Sequence, residues 1–180
     1  MGESWTQPDR YLADTANSLN LGRALDVGCG TGADALWLAD QGWDVTAVDS
    51  SKQATERVRQ TAIEWHLPIT VVRVDGREFK CEEPFQFVSL CYLHLEEHIR
   101  AELLSNVAAL VAPGGTLIWR SFDAKTVDPG ISEELLTTWN AVVEDLGDSL
   151  IVKQAGAAEE YFPYLGRRMR LLTVNAVRPV

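Results

Sequence analysis

The 180-residue sequence predicts one doubly wound α/β domain, with a mostly parallel seven-stranded sheet that ends in an antiparallel hairpin. Three observations predict it. Short β-branched runs alternate with longer helical patterns from residue 8 to residue 120, a strand runs through glycines 28, 30 and 32 straight into a helix, and two late extended runs are joined through Pro163 and Gly166.

Pro8 and Asp9 open a helix over 8–19, and 23–27 is a short apolar strand. Helical spacing over 33–40 stops at Gly42, a favourable C-terminal cap, before a strand over 44–48. Ser50 or Ser51 caps a helix that reaches Trp65, and Pro68 breaks it ahead of a β-branched strand over 69–74. Residues 87–91 form a fourth strand. Glu96 and Glu97 suit the positive end of a helix to about Val111, and Pro113-Gly114-Gly115 turns the chain into a fifth strand over 116–120, which makes four crossovers. A helix over 132–146 and strands over 150–155 and 168–177 complete the order. No repeat, low-complexity linker or charge block divides residues 1–180, so one domain is expected, with 1–22 as a helical cap and 23–180 as the core.

Composition narrows the function. Sixteen Lys and Arg against 26 Asp and Glu give a net charge of -10, which repels phosphate backbones and anionic lipid, so neither nucleic acid nor membrane is the expected partner. The Arg167-Arg168-Met169-Arg170 cluster reads as a strand edge kept soluble by charge. Cys29, Cys81 and Cys91 show neither a disulfide framework nor metal-ligand spacing; reduced thiols in a cytoplasm, and no metal, are expected. The N-terminal residues carry no apolar signal core, and no stretch is long and apolar enough to span a membrane.

The informative segment is Asp26-Val27-Gly28-Cys29-Gly30-Thr31-Gly32-Ala33. Glycines there let the backbone turn sharply and lie against a ligand, and the helix start offers free N–H groups, so a nucleotide-like cofactor is expected. Gly28, Gly30 and Ala33 also satisfy a dinucleotide pattern, which makes a nicotinamide-dependent oxidoreductase one alternative. Asp26 opposes it, because a carboxylate at the strand end suits a cation better than a pyrophosphate. Asp49 stands 21 residues after Gly28, where an acid accepts from two ribose hydroxyls.

Together with Val45-Thr46-Ala47-Val48-Asp49 and Leu110-Val111-Ala112-Pro113-Gly114-Gly115-Thr116-Leu117, this segment resembles the motif series of the class I S-adenosylmethionine-dependent methyltransferases, whose core is Rossmann-like. Gly32-Ala33-Asp34-Ala35-Leu36-Trp37-Leu38-Ala39 and Tyr92-Leu93-His94-Leu95 are similar to small bacterial members, including the tellurite-resistance group. The resemblance implies that Asp26 and the Gly28, Cys29, Gly30, Thr31 and Gly32 backbone hold the methionine end of the cofactor. It further implies that Asp49 with Ser50 holds the ribose and Asp75 with Gly76 the adenine; Cys91 is placed against the adenosine by position. Trp5, Arg10 and Tyr11 fall in the region that covers the cofactor in this family, where Arg10 is in place to pair the methionine carboxylate. Tyr92 and His94 follow the fourth strand at the ligand-collecting edge, and His94 is the candidate base because an imidazole titrates near neutrality.

The chain lacks a long insertion after the fifth strand, and no Asn-Pro-Pro-Tyr-like sequence follows the fourth, so a small-molecule acceptor is expected, shaped by the loop over 122–130 with Asp123 and Asp128. A monomer or homodimer that turns S-adenosylmethionine into S-adenosylhomocysteine is the expected enzyme. A module that binds the cofactor without turnover is the remaining alternative.

Overall fold

The computed structural model describes residues 7–126, 130–162 and 166–180. Trp5, Asp128 and Pro163, each singled out in the sequence, lie outside the described residues. Asp9 caps α1 (Arg10–Asn17), its carboxylate accepting the Leu12 N–H at 3.0 Å, so the helix begins just after the expected Pro8-Asp9 start. Strand β1 (Arg23–Val27), helix α2 (Ala33–Asp40) and strand β2 (Asp44–Asp49) follow, with Gly42 at φ 94° turning the chain between the last two. Ser51 supplies the cap of α3 (Lys52–Glu64) by accepting the Ala54 N–H. Then come β3 (Ile69–Arg73), β4 (Phe85–Cys91), α4 (Glu97–Ala109), β5 (Val111–Phe122), α5 (Trp139–Leu146), β6 (Ile151–Phe162) and β7 (Arg167–Val177).

All seven strands form one sheet in the order β3-β2-β1-β4-β5-β7-β6. Strands β1 to β5 run parallel, and β7 lies antiparallel to both β5 and β6. The strand order reverses between β1 and β4, which opens a crevice at their carboxyl ends. Side chains alternate across a strand, so each strand feeds two cores. Leu25, Val88, Leu90, Leu117 and Trp119 pack with Leu104 and Val107 of α4 and Val142 of α5. On the other face Ala24, Val45, Ala47, Phe87 and Ile118 meet Leu12, Leu38 and Val58 of the first three helices. Two residues further along three of those strands, the same parity brings Asp26, Ser89 and Arg120 to the second face.

The crossover from β3 to β4 carries no α-helix; its chain makes a turn in which the Asp75 carbonyl accepts the Glu78 and Phe79 N–H groups. Three expectations change. The helix expected over 132–146 is a short 3-10 turn (Glu133–Leu135) followed by α5, because Thr138 stays extended and its hydroxyl caps at the Ala141 N–H. Strand β5 begins at Val111 and runs through Pro113-Gly114-Gly115; a Cβ on Gly115 would lie 2.9 Å from the Phe85 carbonyl, so only glycine lets β4 and β5 close there. The hairpin is longer than the patterns over 150–155 and 168–177 indicate. Among the described residues no helix is long and apolar enough to cross a membrane.

Arg100 of α4, buried, and Asp145 of α5, partly buried, meet at 2.6 Å and join the two helices that cover the first core. Arg100→Ala leaves a mostly buried carboxylate unpaired and is expected to lower unfolding stability by about 3 kcal/mol in urea titration, against little change for the exposed Lys52→Ala.

Candidate active site

The turn after β1 is held by its own backbone. The Gly28 and Cys29 N–H groups both donate to the Val48 carbonyl of β2, at 2.7 and 3.1 Å. Gly28, Gly30 and Gly32 sit at φ 71°, 49° and 85°, a region that β-carbons disfavour. A Cβ on Gly28 would strike Leu93 at 2.3 Å, and one on Gly32 would strike Val58 at 2.7 Å; one on Gly30 meets nothing nearer than 3.9 Å. Gly28 and Gly32 are therefore packing requirements, and the open side of Gly30 faces the crevice. Asp49 finishes the turn: one carboxylate oxygen accepts the Gly30 N–H at 2.9 Å and the other accepts the Ser51 N–H at 2.8 Å.

Three hollows run along the carboxyl edge of the sheet. A cavity of about 260 Å³ surrounds the glycine turn and is lined by Asp26, Cys29, Gly30, Thr31, Asp34 and Tyr92, among others. On one side lies a slot of about 130 Å³ that combines Asp49, Ser50, Asp75 and Gly76 with the apolar Val48, Leu93, Leu95, Ile99 and Leu103. On the other side opens a cleft of about 760 Å³ whose walls include Asp9, Tyr11, Tyr92, Glu160 and Phe162. Gly28 borders both cavity and slot, and Asp9 and Tyr92 border both cavity and cleft.

The glycine-turn cavity is acidic. Burial, reinforced by Asp34, pushes the Asp26 carboxyl up to about 8 although the Ser89 hydroxyl donates to it at 2.9 Å. Burial likewise raises Asp34 to about 6 against the donation from the Asp9 N–H at 2.8 Å. The Cys29 and Cys91 thiols are also pushed up, mainly by burial and then by these carboxylates, so both stay protonated. In the slot, Asp75 is held below its ordinary range by hydrogen bonds from Arg77, the shortest 2.8 Å, and Arg77 reaches on to Glu102 at 3.1 Å.

Arg120 of β5 is 2% exposed and organises the third side. It lies 3.2 Å from Asp9, which is 3% exposed, and 2.9 Å from Glu160, and donates to the Thr173 hydroxyl at 2.6 Å. Burial opposes its charge, but Asp9 and Glu160 outweigh burial and hold the guanidinium protonated. The Tyr92 hydroxyl donates to Asp9 at 2.8 Å, and burial keeps that phenol protonated. Tyr92 itself takes φ 57°, a strained backbone state for a non-glycine residue at a ligand-facing strand end.

The structure thus brings Asp26, Gly28, Cys29, Gly30, Thr31 and Tyr92 around one cavity, and Asp49, Ser50, Asp75 and Gly76 around the next. Cys91, expected against the adenosine, instead borders the glycine-turn cavity. Arg10 borders only the outer cleft; its side chain is 91% exposed, 3.9 Å from Asp14, and does not reach the glycine turn. His94 borders none of the three hollows. Its ring stacks on Phe122 at 5.6 Å, its Nε2 is buried without a hydrogen-bond partner among the described residues, and burial lowers its pKa. Asp34, Arg77, Arg120 and Glu160 were missed; of these only Asp34, on the helix after the glycine turn, carried a local signal. Among the described residues no group of three or more His, Cys, Asp or Glu side chains is arranged to hold a metal ion.

A family profile described as a methyltransferase domain matches residues 24–115, more than half of the chain. The ubiquinone biosynthesis O-methyltransferase of Alkalilimnicola ehrlichii is 31% identical over 115 residues, which are 63% of this chain and 47% of that protein. The chain therefore spans about half the length of the curated relatives it matches. Among solved structures, N-methyltransferase NodS from Bradyrhizobium japonicum with S-adenosylhomocysteine superposes with a TM-score of 0.75 at 19% identity, covering 94% of this chain and 85% of that one. TehB from Haemophilus influenzae gives 0.79 at 19% identity, covering 94% and 62%. At such identities these structures speak for the fold. The glycine turn, the two strand-end acids and the profile that contains them agree: the chain belongs to the class I S-adenosylmethionine-dependent methyltransferase family.

Proposed function

We propose that this chain transfers the methyl group of S-adenosylmethionine to a small-molecule acceptor held in the broad cleft. The observation that carries this reading is the unbroken run of slot, glycine-turn cavity and cleft, with Tyr92 at the last junction. The residues fit the cofactor. Asp26 is a buried carboxylate in a cavity lined by no Lys or Arg among the described residues, which suits an ammonium and disfavours the pyrophosphate of a nicotinamide dinucleotide. Gly30 leaves room beside the backbone, and α2 starts at Gly32 without a side-chain cap, so the Ala33 and Asp34 N–H groups remain for the methionine carboxylate that Arg10 does not reach, while the Ala35 N–H serves Asp26. Each Asp49 oxygen has one backbone donor and room for a ribose hydroxyl, and the apolar slot beside Asp75 takes the adenine.

When bound, S-adenosylmethionine would supply a methyl already activated by its sulfonium, transferable to an acceptor lone pair as the C–S pair returns to sulfur, with any acceptor proton released to bulk solvent through the open cleft. The protein's task is then alignment and exclusion of water, which Asp9 and Tyr92 serve at the mouth of the cavity. His94 is read as part of the aromatic wall with Phe122, in place of the base expected from sequence. The wider reading is a single cytoplasmic domain with residues 1–22 as its cap, a monomer or homodimer acting on small molecules, supported by three free cysteines and the acidic charge.

Calorimetric titration with S-adenosylmethionine, S-adenosylhomocysteine and NADH tests the cofactor; tight NADH binding without response to the other two overturns the reading. Asp49→Ala is expected to weaken S-adenosylhomocysteine binding by about 1–3 kcal/mol, since it strips an acceptor from the ribose and from two backbone donors.

A second prediction follows from Asp26. Its folded pKa of about 8 lies above the ordinary carboxyl value near 3.8, so between those values the folded chain binds a proton that the unfolded chain releases. Stability of the cofactor-free protein is then fullest below the unfolded value and falls as pH rises through the folded one. Scanning calorimetry from about pH 5 to 8 is expected to show a declining melting temperature in the wild type and a flatter profile in Asp26→Asn; equal slopes would refute the assignment. His94→Ala is expected to cost about 1–2 kcal/mol of stability and to lower turnover with a productive acceptor far less than the roughly 10²–10⁴-fold loss of a general base.

A further inference from the structure

We propose that the broad cleft selects acceptors in which a cationic group is carried on a flat apolar frame, and that it turns carboxylates away. This deepens the methyltransferase reading by naming the acceptor class, and it rests on that reading for the identity of the neighbouring cavity. Arg120 lies beneath the cleft with its fork fully engaged: Nε on Asp9, Nη1 on the Thr173 hydroxyl and Nη2 on Glu160. One guanidinium therefore serves two carboxylates and leaves the floor of the cleft with a surplus negative charge. The other cation at the cleft, Arg10, lies by Asp14 at the exposed rim. Segments 1–6, 127–129 and 163–165 contain no Lys or Arg, so their sequence offers no further cationic side chain. Among the described lining residues an acceptor carboxylate would find only Arg10, exposed and shared with Asp14, and would face Glu160 at close range.

Glu160 has the opposite relation to a cation. Its side chain is 41% exposed, and both carboxylate oxygens accept from the same Arg120 nitrogen, at 2.9 and 3.0 Å, which leaves their remaining lone pairs toward the cleft. Beside it the cleft is lined by the rings of Tyr11, Tyr92, Tyr161 and Phe162, of which Tyr92 and Phe162 pack on Phe122 behind them at 5.7 and 6.2 Å. Such faces attract cations and accept flat apolar groups in one arrangement. The whole chain carries -10, so the long-range field draws cations in the same direction. An ammonium nitrogen has no lone pair to give, so the docking cation and the methylated atom are different atoms of the acceptor: the first at Glu160, the second at Tyr92, where cleft and cavity meet.

Three probes with one ring and different charge test this: tyramine, 4-ethylphenol and 3-(4-hydroxyphenyl)propionate, titrated by ligand-observed NMR into protein with and without S-adenosylhomocysteine, at about 50 mM salt where screening is weak. Tyramine is expected to bind at least about tenfold more tightly than the propionate, with the neutral phenol between them. Glu160→Gln is expected to reduce that preference to about threefold or less while S-adenosylhomocysteine affinity is kept, and the exposed Asp14→Asn is expected to narrow it by freeing Arg10. Equal or tighter binding of the propionate, no tyramine binding up to about 10 mM, or an unchanged preference in both variants overturns the proposal. Failure of S-adenosylhomocysteine to bind counts against the methyltransferase reading instead, and the titrations without it still report on the cleft.

Discussion

The Val48 carbonyl accepts two N–H groups from the turn after β1, and the arrangement of the site depends on that interaction. It ties the glycine turn to the neighbouring strand before any ligand is considered. With Gly28 and Cys29 fixed on β2, the next N–H, that of Gly30, falls to the Asp49 carboxylate, so the acid at the end of β2 is oriented by the turn at the end of β1. Parallel registry of Val27 with Val48 puts both strand ends at the same height, and the crossing of strand order at β1 and β4 keeps that height clear of chain. Positive φ at three glycines is the conformational cost of this turn, and Leu93 and Val58 exclude any side chain at two of them.

Around that turn the molecule accepts a second cost, that of burying acids. Asp9, Asp26 and Asp34 border one small cavity. They are managed differently. Asp9 is paired with Arg120 and Tyr92, whereas Asp26 and Asp34 have neutral donors and are pushed toward protonation by burial. A protonated carboxyl is the inexpensive resting state of a site that later meets a cation, since ionisation is then driven by the ligand's charge instead of being maintained against desolvation.

The legibility of this arrangement in the sequence follows contact distance along the chain. Asp26, the glycines and Asp49 were readable because their roles come from local geometry: a strand end, a turn that needs positive φ, an acid at the next strand end. Asp75 was readable for the same reason, but its engagement by Arg77 depends on the turn that follows β3, for which the sequence carries no pattern. Arg120 could not be read, because its partners lie 111, 53 and 40 residues away and no periodicity links them. The second half of β6 was invisible for a related reason: Ala157, Ala158, Glu159 and Glu160 show no strand pattern, and their conformation is imposed by pairing with β7. His94 was misleading because its residue type suggested chemistry while its surroundings, a stacked Phe122 and a buried Nε2, make it part of a wall.

This division has a functional counterpart. The family profile spans residues 24–115 and contains the glycine turn, Asp49 and Asp75, all of them on or beside the first strands. Asp9, Arg120, Glu160 and Thr173 stand outside it, on α1's cap and on β5, β6 and β7. The part proposed to hold the cofactor is thus built from short-range geometry. The part proposed to face the acceptor is built from one buried guanidinium whose partners come from three other segments. Replacing Glu160 changes the charge presented to the cleft without touching the glycine turn, so on the proposed reading acceptor preference varies independently of cofactor binding within one sheet.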